Sequence, residues 1–166
     1  MVVRTATPPD GPAIAAVQLA TWRATYQDWL PEVVAGLDLT RTADNWARAA
    51  TADGERVAVA EQDGRILGYA HSGPPEEPAD TADRELFALY VLPEAQRAGA
   101  GRRLVSDAVA AAPPGTWLVW ALERHAPARR FYERQGFRVD PLRTRLWRGL
   151  AEVRYVAPPG PRRHAT

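Results

Sequence analysis

The sequence predicts an α/β fold with a mixed, mostly antiparallel central sheet that carries helices on both faces. The first sign is Asp63-Gly64, a strong hairpin signal between two strand-like runs. The second is a pair of almost continuously apolar segments, residues 85–92 and 117–122, which are typical of buried strands. The stretch between them predicts a helix, and a strand–helix–strand crossover is parallel and right-handed. One parallel strand pair is therefore expected in an otherwise antiparallel order.

The first half of the chain predicts an opening strand, helical stretches and the hairpin. Asp10 is a candidate N-cap for the first helix, and Trp46 is expected on the inner side of the third helical stretch. Residues 73–83 are rich in proline and acidic residues, which favours an exposed loop. The predicted strands are residues 2–6, 56–61 and 65–70, and helices are predicted over residues 12–26, after Leu30-Pro31, and over residues 40–50.

The second half predicts one helix after each apolar strand. The first of these helices begins at Gly99-Ala100-Gly101 and stops at Pro113-Pro114-Gly115. The second covers residues 127–135 and is closed by Gly136 at its C′ position. Residue 137 onward and residues 150–156 complete the sheet. We expect one domain over residues 1–157, followed by a flexible C-terminal tail over residues 158–166.

Composition excludes several classes of function. The formal net charge is +1, so the chain has no global attraction for nucleic acid or an anionic membrane. All 21 basic residues are arginine, which excludes a lysine nucleophile, and the absence of cysteine excludes thiol and zinc–thiolate chemistry. His71, His125 and His164 fit no metal spacing. We therefore expect no metal, no nucleic-acid partner and no membrane partner. With no secretory pattern at the start, a cytoplasmic location is expected.

The turn Gln96-Arg97-Ala98-Gly99-Ala100-Gly101 has the features of an anion site. A buried strand that enters a helix through such a turn presents backbone N–H groups at the positive end of the helix dipole. Gly99 and Gly101 allow close approach and a positive φ, and Arg97, Arg102 and Arg103 add positive charge. A P-loop requires a lysine, and a dinucleotide fingerprint requires a third glycine where Leu104 stands, so neither motif fits.

A second motif follows the turn. Residues 128–137 read Ala-Arg-Arg-Phe-Tyr-Glu-Arg-Gln-Gly-Phe, and the first predicted helix carries Trp22-Arg23-Ala24-Thr25-Tyr26, with Leu30-Pro31 after it. Together with the turn, the chain resembles the GNAT superfamily of acetyl-CoA-dependent N-acetyltransferases. The turn is similar to the family's cofactor motif, Gln/Arg-x-x-Gly-x-Gly/Ala, and residues 128–137 to its Ala-x-x-Phe-Tyr-x-x-x-Gly-Phe. The N-terminal motif resembles a common bacterial branch, and the likeness spans nearly the whole chain.

The resemblance implies acetyl-CoA as co-substrate. Backbone groups of Leu89, Tyr90 and Val91 would run beside the pantetheine arm, where the family's central parallel strands splay apart. His125 stands where the family usually has an asparagine that contacts this arm, and a neutral imidazole can still donate one hydrogen bond. The cofactor-binding residues expected in the turn, whose amides from Arg97 to Arg102 would hold the pyrophosphate, are Gln96, Arg97, Ala98, Gly99, Ala100, Gly101 and Arg102.

Acyl transfer from a thioester to an amine requires that the ammonium loses a proton and that the leaving thiolate gains one. Tyr132 matches the family's tyrosine in the second motif, which implies the acid; packing beside Phe131 is the alternative. Glu85 begins the buried strand and is the candidate base, with a surface carboxylate as the alternative. Glu123, at the end of the next strand, competes as the base, or else it caps the helix that follows.

Trp22 and Tyr26 lie one helical turn apart and therefore share a face. In the family this helix walls the acceptor site, which implies substrate binding; core packing is the alternative. The implied reaction is direct attack, within a ternary complex, by a primary amine of a small molecule or a peptide N-terminus. The family often forms dimers, so a homodimer stays open. Because His125 departs from the family pattern, a non-catalytic acyl-CoA-binding sensor or interaction module is the alternative function.

Overall fold

The computed structural model describes residues 1–78 and 80–158 of the chain. These residues fall into two compact units. The N-terminal unit comprises Met1–Ser72 and Ala88–Ala110, and the C-terminal unit comprises Gly73–Phe87 and the chain from Ala111 onward. Strand β4 (Arg84–Val91) contributes its first half to the C-terminal unit and its second half to the N-terminal unit.

The N-terminal unit is built on an antiparallel strand arrangement. The strands are β1 (Val2–Thr5), β2 (Arg56–Gln62) and β3 (Arg65–Gly73), and the helices are α1 (Gly11–Tyr26), α2 (Pro31–Ala35), α3 (Leu39–Ala49) and α4 (Ala100–Ala111). β2 pairs antiparallel with both β1 and β3. The hairpin turn at Asp63 and Gly64 has positive φ at both residues, 52° and 74°, as a two-residue loop matched to the strand twist requires.

The core of the N-terminal unit forms where the apolar face of α1 meets β2 and β3. Ile14 and Val17 of α1 are buried with Val57, Val59 and Tyr69 of the hairpin. Trp46 of α3 packs against this cluster, with its ring centroid 4.7 Å from that of Tyr69, which confirms the predicted inner position of Trp46.

The C-terminal unit contains the parallel crossover pair and an antiparallel ribbon. Arg84, Glu85 and Leu86 of β4 pair in parallel with Trp117, Leu118 and Val119. The unit's other elements are β5 (Trp117–Leu122), α5 (Ala126–Arg134), β6 (Arg138–Trp147) and β7 (Leu150–Ala157). β7 pairs antiparallel with both β5 and β6, and the seven strands follow the hydrogen-bonded order β1-β2-β3-β4-β5-β7-β6. The mixed, mostly antiparallel sheet with one parallel pair is confirmed.

Local signals placed most elements within one to three residues of their observed bounds. Gly136 has φ of 89°, so it ends α5 in the left-handed conformation that the sequence predicted. Asp10 occupies the N-cap position of α1, but its carboxylate makes no cap hydrogen bond. Instead that carboxylate accepts from Arg4 at 2.8 and 2.9 Å and from the Thr7 amide at 2.8 Å. The arginine lowers the pKa of Asp10, and the contacts tie β1 to the start of α1.

The predicted tail over residues 158–166 lies, from residue 159, outside the described residues, as does His164. Within residues 1–78 and 80–158, no helix is long and apolar enough to cross a bilayer.

Gly11→Ala should destabilise the N-terminal unit, because a Cβ at Gly11 would overlap the backbone carbonyl of Ala43 where α1 packs against α3. We expect a loss of about 1–3 kcal/mol in the free energy of unfolding, measured by thermal and urea denaturation. Gly36→Ala is the matched control, since its Cβ would lie 3.1 Å from the backbone carbonyl oxygen of Glu32, a contact that a small shift relieves. An equal loss in both variants would contradict the close helix contact at Gly11.

Candidate active site

The turn between β4 and α4 depends on two residues in the left-handed conformation. Arg97 has φ of 67° and Gly99 has φ of 85°. Glycine adopts this conformation without steric cost, whereas a residue with a Cβ does so rarely. Gly101 lies in the first turn of α4 and does not have a positive φ. The sequence predicted a positive φ at Gly99 and Gly101. The structure confirms it at Gly99, but the second residue with a positive φ is Arg97 and not Gly101.

Gln96 closes the turn. Its backbone N–H donates to the Leu92 carbonyl at 3.1 Å, and its side-chain Nε2 donates to the Val91 carbonyl at 3.1 Å. Both hydrogen bonds join the turn to the end of β4. The sequence predicted Gln96 as a cofactor contact, and the observed bonds give it a role in shaping the turn.

The start of α4 presents backbone donors. The amide of Arg103 donates to the Gly99 carbonyl at 3.0 Å and is the first to bond along the helix. The amides of Ala100, Gly101 and Arg102 precede it, and amides at such positions have no acceptor within their own helix. Arg97, Ala98 and Arg102 are exposed beside them. Backbone donors, helix dipole and guanidinium charge together favour an anion at this turn.

The end of β4 is fixed by β3. Leu89, Tyr90 and Val91 are half-buried. A Cβ at Gly68 would lie only 2.8 Å from the Tyr90 carbonyl oxygen, so the close approach of the two strands requires glycine there. The next amide, that of Leu92, donates to the Leu67 carbonyl at 2.8 Å. The stretch predicted to run beside the cofactor is therefore held in a set register within the N-terminal unit.

Trp22 and Tyr26 of α1 belong to an aromatic cluster with Tyr69 of β3 and Tyr90 of β4. Ring centroids are 5.6 Å apart for Trp22–Tyr26, 6.3 Å for Trp22–Tyr90 and 5.6 Å for Tyr69–Tyr90. The hydroxyls of Tyr26 and Tyr90 are 3.3 Å apart. The Tyr69 hydroxyl is buried without a hydrogen-bond partner among the described residues, and burial raises the pKa of Tyr69 well above its usual value.

The predicted shared face of Trp22 and Tyr26 is confirmed by this cluster. Sequence reasoning missed the contribution of Tyr69, because it comes from a strand far along the chain. The signal available was the alternation of β3, which places Tyr69 and His71 on one face of the strand.

Tyr132 lies on α5 in the C-terminal unit and is 7% exposed. Its ring packs against Phe131 and Phe137, with centroids 5.4 and 5.8 Å away, and lies 6.4 Å from that of Tyr155. The Phe137 amide donates to the Tyr132 carbonyl at 3.1 Å, so the left-handed Gly136 brings the chain back beside α5. The packing alternative thus describes the ring correctly.

Glu85 is a buried carboxyl, 3% exposed, at the start of β4. Its Oε2 accepts a hydrogen bond from the Glu76 amide at 2.9 Å. Burial raises the pKa of Glu85, and that hydrogen bond and the charge of Arg145 oppose the rise only in part. The alternative of a surface carboxylate is therefore wrong. A carboxyl with a raised pKa is better matched to accepting a proton near neutral pH.

His125 is half-buried and occupies the N-cap position of α5, with its carbonyl accepting the amides of Ala128 and Arg129. Burial lowers the pKa of His125, which favours the neutral imidazole that a donor role requires. Glu123 is exposed, and its backbone carbonyl accepts from the Arg129 side chain at 3.1 Å. Since His125 holds the cap position, the alternative that Glu123 caps the helix is wrong.

The predicted site residues form two groups, one in each unit. The N-terminal unit brings together the turn, the end of β4 and the aromatic cluster, whereas the C-terminal unit holds Glu85, His125 and Tyr132. Sequence reasoning also missed the backbone of Glu76 as a partner of Glu85, because residues 73–83 read as a solvated loop. Over residues 1–78 and 80–158, no group of three or more metal-ligating side chains is arranged to hold a metal ion.

Comparison with known proteins adds a family match and close relatives. The family model of the acetyltransferase (GNAT) domain matches residues 53–139. A Mycobacterium tuberculosis protein named as a probable N-acetyltransferase is 30% identical, over 91% of this chain and 87% of the relative. A Bacillus subtilis protein named as an uncharacterized N-acetyltransferase is 32% identical, over 80% of this chain and 78% of its own length.

Solved structures share the fold at lower identity. YncA of Salmonella typhimurium, solved with acetyl-CoA, has a TM-score of 0.72 at 21% identity and covers 100% of this chain and 96% of its own. The PaiA N-acetyltransferase of Thermoplasma acidophilum, solved with coenzyme A, has a TM-score of 0.73 at 15% identity, over 92% of this chain and 96% of its own.

Glu85→Gln should raise the melting temperature by a few degrees at neutral pH, because the amide keeps an acceptor for the Glu76 N–H without a buried charge. A carboxyl whose pKa is raised on folding gives stability at low pH that is lost as the pH rises through the raised value. The variant should therefore match the wild type below the usual glutamate range and exceed it above the raised pKa. Thermal melts from acid to neutral pH measure this difference, and Glu77→Gln, at an exposed position, should show none.

Proposed function

The chain belongs to the GNAT acetyltransferase family, and on that premise we propose that it transfers an acetyl group from acetyl-CoA to a primary amine. The acceptor would be a small molecule or a peptide N-terminus. The observation that carries the proposal is the turn from β4 to α4, with left-handed Arg97 and Gly99 ahead of the first-turn amides of the helix. This arrangement suits the pyrophosphate of the cofactor.

The cofactor would lie along backbone more than along side chains. In the proposal, the amides from Arg97 to Arg102 hold the pyrophosphate, and backbone groups of Leu89, Tyr90 and Val91 run beside the pantetheine arm. The set register of β4 against β3 supports the second part, since a fixed strand can act as a template for an extended ligand. His125, neutral because its pKa is lowered, would donate to the arm.

The reaction would be a direct attack within a ternary complex. Glu85 would take the proton from the ammonium, directly or through water, and its raised pKa supports this role. The free amine then forms a bond to the thioester carbonyl carbon, and collapse of the tetrahedral intermediate breaks the carbon–sulfur bond. Tyr132 would give its phenolic proton to the departing thiolate, and the nitrogen, cationic after the attack, would lose its second proton to restore the phenol, directly or through water. Its aromatic neighbours fix the orientation of the ring, which supports a positioned acid.

The acceptor would be recognised by the aromatic cluster of α1, β3 and β4. Trp22 and Tyr26 would provide rings for an amine carried on an apolar body. The paired hydroxyls of Tyr26 and Tyr90 add a polar site among those rings. An acceptor with both apolar and hydrogen-bonding groups fits this combination better than a highly charged one.

Acetyl-CoA at millimolar concentration should raise the melting temperature of the protein, because a ligand that binds only the folded state stabilises it. An amine library, followed by detection of free thiol, should then identify an acceptor that drives turnover. No thermal shift with acetyl-CoA would sink the proposal. A shift without turnover on any amine would favour the acyl-CoA-binding sensor instead.

Tyr132→Phe should reduce kcat by about 100-fold or more and leave the Kd for acetyl-CoA unchanged, because it removes only the proton donor. Steady-state kinetics and calorimetry separate the two quantities. Tyr155→Phe is the matched control: Tyr155 is a buried tyrosine beside Tyr132 whose hydroxyl bonds Arg129 and Glu133. Unchanged kcat in Tyr132→Phe would remove the tyrosine from the chemistry.

A further inference from the structure

The acidic loop (residues 74–78 and 80–83) is held against β7 by a buried ion pair between Asp80 and Arg154, the pin. Arg154 of β7 donates to Asp80 at 2.5 Å and to Asp140 of β6 at 2.9 Å. The side chains of Arg154 and Asp80 are 5% and 1% exposed. The expectation that residues 73–83 form an exposed loop is therefore wrong at Asp80, which lies on a strand surface and not in solvent.

The pin also orders the loop's own backbone. Asp80 Oδ1 accepts from the Ala82 amide at 2.8 Å, and the Asp80 amide donates to the Glu77 carbonyl at 2.9 Å. Burial alone would raise the pKa of Asp80, but the Ala82 amide and the Arg154 guanidinium outweigh it and lower that pKa. The lowered pKa keeps Asp80 ionised near neutral pH, the form that pairs with Arg154.

The other side of the loop reaches the candidate base. The Glu76 amide donates to Glu85 Oε2 at 2.9 Å, while the Glu76 side chain is exposed and lies 3.7 Å from Arg145. Arg145 in turn is held by Glu152 at 2.6 Å and stacks 4.5 Å above the Trp120 ring. Three residues lie between Glu76 and Asp80, and the Asp80 amide is hydrogen-bonded to the carbonyl of Glu77, the neighbour of Glu76, so the position of the Glu76 donor depends on that of Asp80.

We propose that Arg154 is a positioning residue: by holding Asp80 it fixes the acidic loop so that the Glu76 amide stays hydrogen-bonded to Glu85. The inference rests on the proposed role of Glu85 as base. It assigns to a buried arginine and a loop aspartate, neither of which touches Glu85, control over the proton affinity of that carboxyl.

The charged groups around Glu85 give the proposal a sign. The negative charges of Glu76 and Asp80 favour its protonated form, while Arg145 and the Glu76 amide favour its ionised form. Of these four groups, the Glu76 amide has the largest effect on the pKa of Glu85 and the charge of Asp80 has the smallest. Loss of the hydrogen bond from the Glu76 amide should therefore raise the pKa of Glu85, even when the negative charge of Asp80 is removed at the same time.

The energetic cost of the pin supports a positioning role. Burying a guanidinium and a carboxylate requires desolvation of both, which a good ion pair only approximately offsets. An apolar pair would give comparable stability without fixing a direction, whereas Arg154 bridges two carboxylates and so sets where the loop lies. Arg143 adds a longer contact to Asp80 at 3.9 Å.

Three loop variants test the proposal. Asp80→Asn replaces the ion pair with Arg154 by a weaker neutral hydrogen bond and so loosens the pin, Glu76→Gln removes a loop charge but keeps the backbone amide, and Glu77→Gln removes a charge at an exposed position. The pKa of Glu85 is followed by carboxyl-carbon NMR titration, the Glu76 amide by hydrogen exchange, and the acid limb of kcat/KM by kinetics. We expect Asp80→Asn to raise the pKa by about half a pH unit and to speed exchange at Glu76, Glu76→Gln to lower the pKa, and Glu77→Gln to change neither.

The direction in which the pKa of Glu85 shifts in Asp80→Asn distinguishes a positioning role from a purely electrostatic one. If Asp80 acted only through its charge, the pKa would fall as in Glu76→Gln, and that result would overturn the proposal. Arg154→Lys approaches the same contact from the other side: it keeps the charge, cannot bridge both carboxylates, and should also shift the pKa upward. If the pKa of Glu85 rises in neither variant, the inference is overturned. The NMR titration needs no substrate. If the protein shows no turnover, the proposed function fails, but the titration still tests whether the Asp80–Arg154 contact positions the Glu76 amide.

Discussion

Strand β4 is the constraint on which the candidate chemistry depends. Its first residues pair in parallel with β5, and Glu85 lies within that ladder. Its last residues run beside β3, where the absence of a side chain at Gly68 admits the Tyr90 carbonyl. The Gln96 side chain then joins Val91 to the turn. Since these are contacts of one strand's backbone, the register of β4 determines where both the candidate base and the anion-binding turn are held.

The C-terminal unit contains two buried carboxyls whose pKa values move in opposite directions. Burial acts on both, but Asp80 contacts a guanidinium at 2.5 Å, whereas Glu85 receives one backbone amide at 2.9 Å. The Ala82 amide and the charge of Arg154 together lower the pKa of Asp80, whereas the Glu76 amide offsets the burial of Glu85 only in part and its pKa stays raised. The same short loop therefore joins a carboxylate suited to a structural role to a carboxyl suited to proton transfer.

Sequence predicted the elements well where the signal was local. Asp63-Gly64, the apolar run of β5 and Gly136 each act through a neighbouring turn or strand, and each lies where it was expected. The misses came from tertiary contacts. Asp80 lies in a segment whose composition is typical of a solvent-exposed loop, yet its side chain is buried against Arg154, 74 residues later in the chain. The left-handed φ of Arg97 was missed because arginine gives no local signal for it.

The same distinction separates the two halves of the proposed function. An anion-binding turn is made of backbone amides, so its requirements on side chains are few: glycine for conformation, small residues for access, a helix start behind it. Those requirements are written in consecutive residues and can be recognised in a sequence. The environment of Glu85 is made instead by Glu76, Asp80 and Arg145, which the fold assembles from a loop and a strand. The proposed acceptor recognition has the same character, because Tyr26, Tyr69 and Tyr90 are far apart in sequence and meet only in the folded chain. A turn that would bind the cofactor can therefore be recognised from sequence, whereas the residues proposed to tune the base and to choose the amine are brought together only by the fold.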